Sequence, residues 1–290
     1  MVGRVEDTEA QAVVHSVAER RRLLVRWVEV DGPGHVAPVR RGFAEAAGEV
    51  VSFLDDDTEP LAGWLATLLD PFSDSRVACV GGRVVTPGFN GRVHRDAGRV
   101  RWYGRHIGNI GAYDAPGPVE VHGVMECNWA WRCAVLTKLH FDPVLDFDDA
   151  FMYGLDLCLQ VRALGYRVVY QPAARVVHHV APRSPELDRR DRPQRVLCYS
   201  RNYTYIALKH FSMPRRAMFL TWWWLVGEDS AFGLARVMRC LVRRRNGVGA
   251  EIRAAWAGKV DGWRKWRDGP ARKQRKRNNG LFRRSEQSAR

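Results

Sequence analysis

Apolar residues gather along the chain in short runs, separated by polar stretches rich in glycine and proline. LLVRWVEV (23–30) is apolar and β-rich and runs into DGPGH, which predicts a strand leaving into a loop. VRRGFAEAA (39–47) uses good helix formers and stops at Gly48. EVVSFL (49–54) then reads as a buried strand that delivers the chain into Asp55-Asp56-Asp57. PLAGWLATLL (60–69) opens with proline and spaces leucine and tryptophan helically, and RVACVGGRVV (76–85) is again a strand. This alternation predicts an α/β domain on a mostly parallel sheet with buried strands.

Residues 86–121 are aperiodic and rich in Gly, Pro, Arg, His and Tyr, which predicts a long functional excursion over one face of the sheet. VMECNWAWR (124–132) brings the chain back. Residues 150–164 read as a helix closed by Gly165, and YRVVY (166–170) and RVVHH (175–179) as two strands parted by Pro172. The charged stretch ELDRRDRPQ (186–194) ends the domain. Residues 196–211 and 216–226 then read as helices, followed by basic helices with interleaved tryptophans. The predicted organisation is an α/β domain over 1–185, a helical region over 186–262 and a basic disordered tail over 263–290.

Composition sharpens this picture at three points. With 46% hydrophobic and 27% charged residues in 290, a wholly disordered chain is excluded. The net charge of +14 is uneven: residues 233–290 hold 18 Lys/Arg against 4 Asp/Glu, leaving 28 of each in the first 232. A neutral body with a cationic end favours anionic surfaces, whether phospholipid or nucleic acid. The six cysteines are scattered without a C-x-x-C pair, which argues against a zinc ribbon and for reduced thiols in a cytosolic setting.

The start MVGRVEDTEAQAVV does not read as a secretory signal. The longest apolar run, AMFLTWWWLV (217–226), is half of the roughly 20 residues a spanning helix needs. An interfacial helix fits it better, and packing among the C-terminal helices is the plain alternative. Trp256, Trp263 and Trp266 among Arg and Lys suit either stacked bases or a bilayer surface. No nucleic-acid motif accompanies them, so nucleic acid is the weaker partner.

The chemistry concentrates at Asp55-Asp56-Asp57. Ligands of an open α/β sheet bind at the carboxyl ends of its strands. Adjacent carboxylates repel unless a cation lies among them, and such hard oxygen donors suit Mg²⁺ or Mn²⁺.

GFAEAAGEVVSFLDDDTEPLAGWLATLLDPFSDSRVACVGGRV, CNWAWR (127–132), Phe141-Asp142 and FMYGLDLCLQVRALGYRVVYQPAARVVHH (151–179) together resemble glycosyltransferase family 2. These are inverting, nucleotide-sugar-dependent enzymes. The resemblance covers about residues 23–182. It implies a GT-A, Rossmann-like fold, mostly parallel with helices on both faces, plus a C-terminal helical extension. It also implies a metal-dependent hexosyltransferase with Mn²⁺ or Mg²⁺ bound by Asp57, Asp55 and His178, with His179 as the fallback histidine.

Asp55 and Asp56 would face the nucleotide, with Arg40 near the diphosphate. Asn128, Trp129 and Trp131 would lie on the acceptor side, although the two indoles suit a core as well. The base that deprotonates the acceptor is an Asp of an acidic pair in this family; here the pair is reduced to Asp156, with Asp148 and Asp149 as competitors. Family members begin with a strand, a helix and a second strand, and only about 22 residues precede Leu23, so the resemblance implies a domain lacking its first strand or strands. A late assigned start, a truncation or a completing partner chain would each explain this.

The implied activity is transfer from a nucleotide-diphosphate sugar to a lipid-linked or polysaccharide hydroxyl in cell-envelope glycan or glycolipid synthesis. The expected location is the cytoplasmic, inner face of the plasma membrane, held peripherally by the basic C-terminus. The alternative is an inactive, membrane-recruited glycosyltransferase-like scaffold.

Overall fold

The computed structural model describes residues 1–31, 34–148, 152–179, 192–228, 230–244 and 247–269. The chain divides into two compact units, Met1–Arg99 with Ile107–Ala181, and Val100–His106 with Pro182–Arg290.

The first unit opens with β1 (Val2–Arg4), α1 (Thr8–Arg21) and β2 (Val28–Val30), in which β1 and β2 pair in parallel. Before its second helix the chain thus supplies a β-α-β unit, whose two strands form a sheet of their own and do not join the six-stranded sheet described below. Hydrophobic patterning does not reveal its helix because α1 buries no residue. Local chemistry sets its ends instead. Asp7 Oδ1 accepts from the Ala10 N–H at 3.1 Å, and Arg22 closes the helix in the left-handed conformation at φ 52°. The predicted strand over 23–30 shrinks to β2, since Leu23 and Leu24 are exposed.

Next come α2 (Val36–Glu45), β3 (Val50–Leu54), β4 (Thr58–Pro60), α3 (Trp64–Leu69) and β5 (Val77–Val85). They are followed by β6 (Val119–Glu120), β7 (Asn128–Arg132), α4 (Cys133–Leu136), α5 (Tyr153–Ala163) and β8 (Arg167–His178). Six strands form one sheet in the order β3-β7-β5-β8-β4, with β6 also on β8.

The sheet is mixed where a mostly parallel one was expected. β5 and β8 are parallel, whereas β7 runs antiparallel between β3 and β5, and the short β4 and β6 run antiparallel to β8. The reversal follows from the excursion, which carries the chain across the sheet before CNWAWR re-enters it. The two strands expected around Pro172 are one strand. A register shift between Gly82↔Gln171 and Arg83↔Arg175 accommodates Pro172 in a bulge, and β8 continues to His178.

The core lies on the β7 side of α2. Phe43 meets Phe53 at 5.0 Å and Trp131 at 5.8 Å between ring centroids, and Trp129 meets Trp131 edge-on at 5.2 Å. The excursion is packed into the body as well, with Ile110, Ala115 and Val121 buried and the Tyr170 hydroxyl donating to Tyr113 O at 2.6 Å.

The second unit holds α6 (Arg192–His210), α7 (Met213–Leu225), β9 (Gly227–Glu228), β10 (Ala231–Phe232), α8 (Leu234–Val242) and α9 (Gly249–Asp268). Helix α9 thus extends beyond residue 262. It lies close against α6 because Gly258 and Gly262, one turn apart, face it: a Cβ on Gly258 would meet Leu197 O at 2.4 Å, and one on Gly262 would meet Arg201 O at 2.2 Å. The central tryptophan of the 222–224 run, Trp223, is fully buried and donates to Thr204 Oγ1 at 2.9 Å, while Trp224 packs on Trp256 at 6.1 Å. Packing among the C-terminal helices therefore accounts for these two rings. No described helix is long and apolar enough to cross a membrane.

Candidate active site

β3, β5 and β8 point the same way, so the carboxyl ends of β3 and β8 share one edge of the sheet. β7 runs oppositely and brings its amino end to that edge, with Leu54 facing Asn128. After β3 the chain turns sharply, and both the backbone N–H and the Oγ1 of Thr58 donate to Asp55 O, at 3.1 and 2.6 Å. The turn feeds β4, whose Thr58 sits opposite His178 at the end of β8. Two strands that are far apart in sequence therefore deliver Asp55, Asp57 and His178 to one point, with ligand atoms all within 4.8 Å of one another.

His178 Nε2 lies 3.1 Å from Asp57 Oδ1. That proximity is out of line for a hydrogen bond, so Asp57 Oδ1 is buried without a hydrogen-bond partner. Asp55 is exposed as a residue, yet partial loss of hydration at its carboxyl within the turn pushes its pKa upward; the charge of Asp57 adds to the shift, and His178 opposes it, as His35 at the start of α2 does more weakly. An unsatisfied carboxylate oxygen, a second carboxylate and an imidazole make a donor set that fits a hard or borderline divalent cation such as Mn²⁺ or Mg²⁺.

The remaining predicted residues fall in different places. Asp56 is exposed at the tip of the turn, outside the triad. His179, the fallback histidine, leaves the cluster: its ring lies 3.1 Å from exposed Glu59, and its N–H donates to Asp57 O at 2.8 Å. Arg40 is exposed on α2, and among the described residues no ion pair joins it to the triad.

Asn128, Trp129 and Trp131 are all 0% exposed, which corrects the acceptor platform expected there. Asn128 accepts from Trp64 Nε1 at 2.9 Å and donates to Arg83 O and Ala174 O at 3.0 and 3.1 Å, tying the bulged strands together. The two indoles complete the core beside Phe43 and Phe53, so their apolar area is spent on packing rather than on a sugar.

Asp156, in the first turn of α5, is 1% exposed and accepts from Gln160 Nε2 at 2.8 Å. Asp148 is exposed with φ 57°, and Asp149 lies outside the described residues.

Sequence reading missed two neighbours of the triad. Cys127 and Glu126 precede β7, opposite the acidic turn. The Cys127 thiol is pushed well up by burial and then by the charges of Asp55, Glu126 and Asp57. The register Leu54↔Asn128 is the signal that finds them, and it exists only once β7 is known to run antiparallel.

Residues 6–139 match the family model described as Glycosyl transferase family 2. This stretch is similar to glycosyltransferase family 2. The chain is 30% identical over 149 residues, half of its length, to the pre-mycofactocin glycosyltransferase of Mycobacterium tuberculosis, and spans 30% of that protein. It is 26% identical over 188 residues, 59% of its length, to the O-antigen biosynthesis protein RfbC of Myxococcus xanthus, of which it spans 14%. Among solved structures, the mannosyltransferase PcManGT of Pyrobaculum calidifontis, in complex with GDP-Man and Mn²⁺, superposes with a TM-score of 0.53 at 15% identity, over 91% of this chain and 76% of the other. That likeness shows the GT-A fold, and the stretch similar to family 2 includes the acidic turn.

Proposed function

We propose that the chain is an inverting glycosyltransferase that moves a sugar from a nucleoside-diphosphate donor to an acceptor hydroxyl. The observation that carries this reading is the convergence of Asp55, Asp57 and His178 at the carboxyl edge of the sheet. These three residues would hold the divalent ion. When bound, it offsets the charge of the diphosphate and stabilises the departing nucleotide. Asp56, at the tip of the turn, faces outward toward the ribose side, and exposed Arg40 is a long-range counter-charge for the phosphates. The PcManGT complex, described as holding GDP-Man and Mn²⁺, supports a donor of this class.

A lipid-linked or polysaccharide acceptor in envelope synthesis is favoured by the relative described as an O-antigen biosynthesis protein. The helical unit supports peripheral attachment at the inner face of the plasma membrane. Helix α8 exposes Leu234, Met238, Leu241 and Val242 at helical spacing, flanked by exposed Arg239 and Arg243. Beside α7, an apolar hollow of about 450 Å³ is lined by Trp102, Tyr103, Met218, Trp222 and Leu225.

Calorimetric titration with UDP, GDP and dTDP, each with and without Mn²⁺, tests the core of the reading. One nucleotide should bind in a metal-dependent way, and Asp57→Ala should abolish that binding while leaving the melting transition in place. Binding that is indifferent to Mn²⁺ and to Asp57→Ala would remove the metal role. No binding at all would favour an inactive scaffold.

A further inference from the structure

Transfer to a hydroxyl needs a carboxylate or imidazole that removes the acceptor proton as the new bond forms. Asp156 is ill placed for this, being 1% exposed and committed to Gln160. Glu126 is better placed. It stands at the amino end of β7, on the same sheet edge as the acidic turn, and is only partly buried. It lies outside the Asp55, Asp57 and His178 triad.

Its orientation is fixed by α5, where the Gly154 N–H in the first turn donates to Glu126 Oε1 at 3.1 Å. The carboxylate occupies the space a side chain at 154 would need, since a Cβ there would fall 2.3 Å from Oε1. The bare Gly154 is what lets a glutamate from another strand reach the end of this helix.

We propose that Glu126 is the general base of the transfer, an inference that rests on the glycosyl-transfer reading above. The acceptor oxygen bonds to the anomeric carbon and its proton passes to the Glu126 carboxylate. The bond from the anomeric carbon to the diphosphate oxygen breaks, and its electron pair leaves with the nucleoside diphosphate. Glu126 then returns the proton to water.

The test uses the full chain with Mn²⁺ and radiolabelled UDP-glucose, GDP-mannose or dTDP-glucose, chosen to match the nucleotide that binds, with water as the acceptor. Glu126→Gln keeps an oxygen for the Gly154 N–H, so nucleotide affinity should stay within about twofold while sugar release falls by about 10²- to 10⁴-fold. Gly154→Ala, which displaces the carboxylate without changing it, should lower release in the same direction at unchanged affinity. Parental rates in Glu126→Gln would overturn the proposal. So would a loss confined to Asp156→Asn, or a parent that binds nucleotide yet releases no sugar. A parent that binds no nucleotide would fail at the earlier step and overturn the glycosyl-transfer reading together with this one.

Discussion

Lys259 in the helical unit and Asp57 at the sheet edge both place polar atoms out of contact with water, and their surroundings differ. Lys259 is 0% exposed and spends its three protons on Trp223 O at 2.5 Å, Phe232 O at 2.9 Å and Ala231 O at 3.3 Å. The faces of Trp223 and Trp224 lie 4.7 and 5.3 Å from its nitrogen. Nearby, nearly buried Arg201 pairs with Asp261 at 2.7 Å. Asp57 instead keeps a buried oxygen without a hydrogen bond, next to a second carboxylate. A buried charge whose partners are complete reads as structure, whereas two carboxylates and an imidazole gathered around an oxygen that makes no hydrogen bond mark a candidate site.

The sharpest way to break this contrast is Lys259→Ala. It removes a packed side chain and strands three buried carbonyls at once, so it should cost at least about 3 kcal/mol of unfolding free energy in a denaturant titration. A loss under about 1 kcal/mol would mean that water replaces the ammonium and that Lys259 is not a structural keystone. The same residue gives a pH signature. Burial lowers its pKa from 10.5 to about 7. The unfolded chain therefore binds more protons than the folded one between those values, and stability should rise with pH across that window. Lys259→Met should flatten the rise. The carbonyls and indoles oppose the shift, so a flat parental profile would show that they keep the amine charged.

Gly262→Ala probes the helix contact that builds the surroundings of Lys259. The added methyl would meet the Arg201 carbonyl at 2.2 Å, so α9 must move away from α6. The expected cost is about 1–3 kcal/mol, read as a lower melting midpoint. An unchanged midpoint would show that the two helices tolerate a wider spacing.

The two regions also differed in how legible they were. The acidic turn could be read because an apolar strand, three carboxylates and a following helix are contiguous in the chain, whereas His178 was implied only by the family resemblance, with His179 as the fallback. Of the amino-terminal β-α-β unit, β2 could be read within the apolar run 23–30, whereas α1 buries no residue and carries no apolar stripe to mark it. Trp129 and Trp131 were ambiguous because large aromatics suit a sugar and a core equally, and only the packing of Phe43 and Phe53 decided between them. Glu126 was invisible because its relation to Asp55 depends on the antiparallel register of β7, and its relation to α5 on the missing side chain of Gly154. Lys259 looked like one more cation of the basic helices, because nothing in local sequence distinguishes a solvated lysine from one that caps three carbonyls.

Asp55→Asn gives the smallest effect and the finest test of the contrast. Partial loss of hydration at the carboxyl and the neighbouring Asp57 raise the folded pKa of Asp55 above its ordinary 3.8. Below that value the carboxyl is protonated in both folded and unfolded chains and costs nothing. As pH rises through the raised pKa, the folded state must accept a charge that the unfolded state holds more easily, so stability is lost. At neutral pH without metal, Asp55→Asn should therefore melt slightly above the parent, and the gap should close toward pH 3.8. Adding Mn²⁺ should reverse the order, because the cation stabilises the parent in proportion to its binding and the variant has lost a ligand. If the variant melts below the parent at neutral pH without metal, the acidic turn is held by contacts of Asp55 that outweigh its repulsion, and the strained-site reading of this edge is wrong.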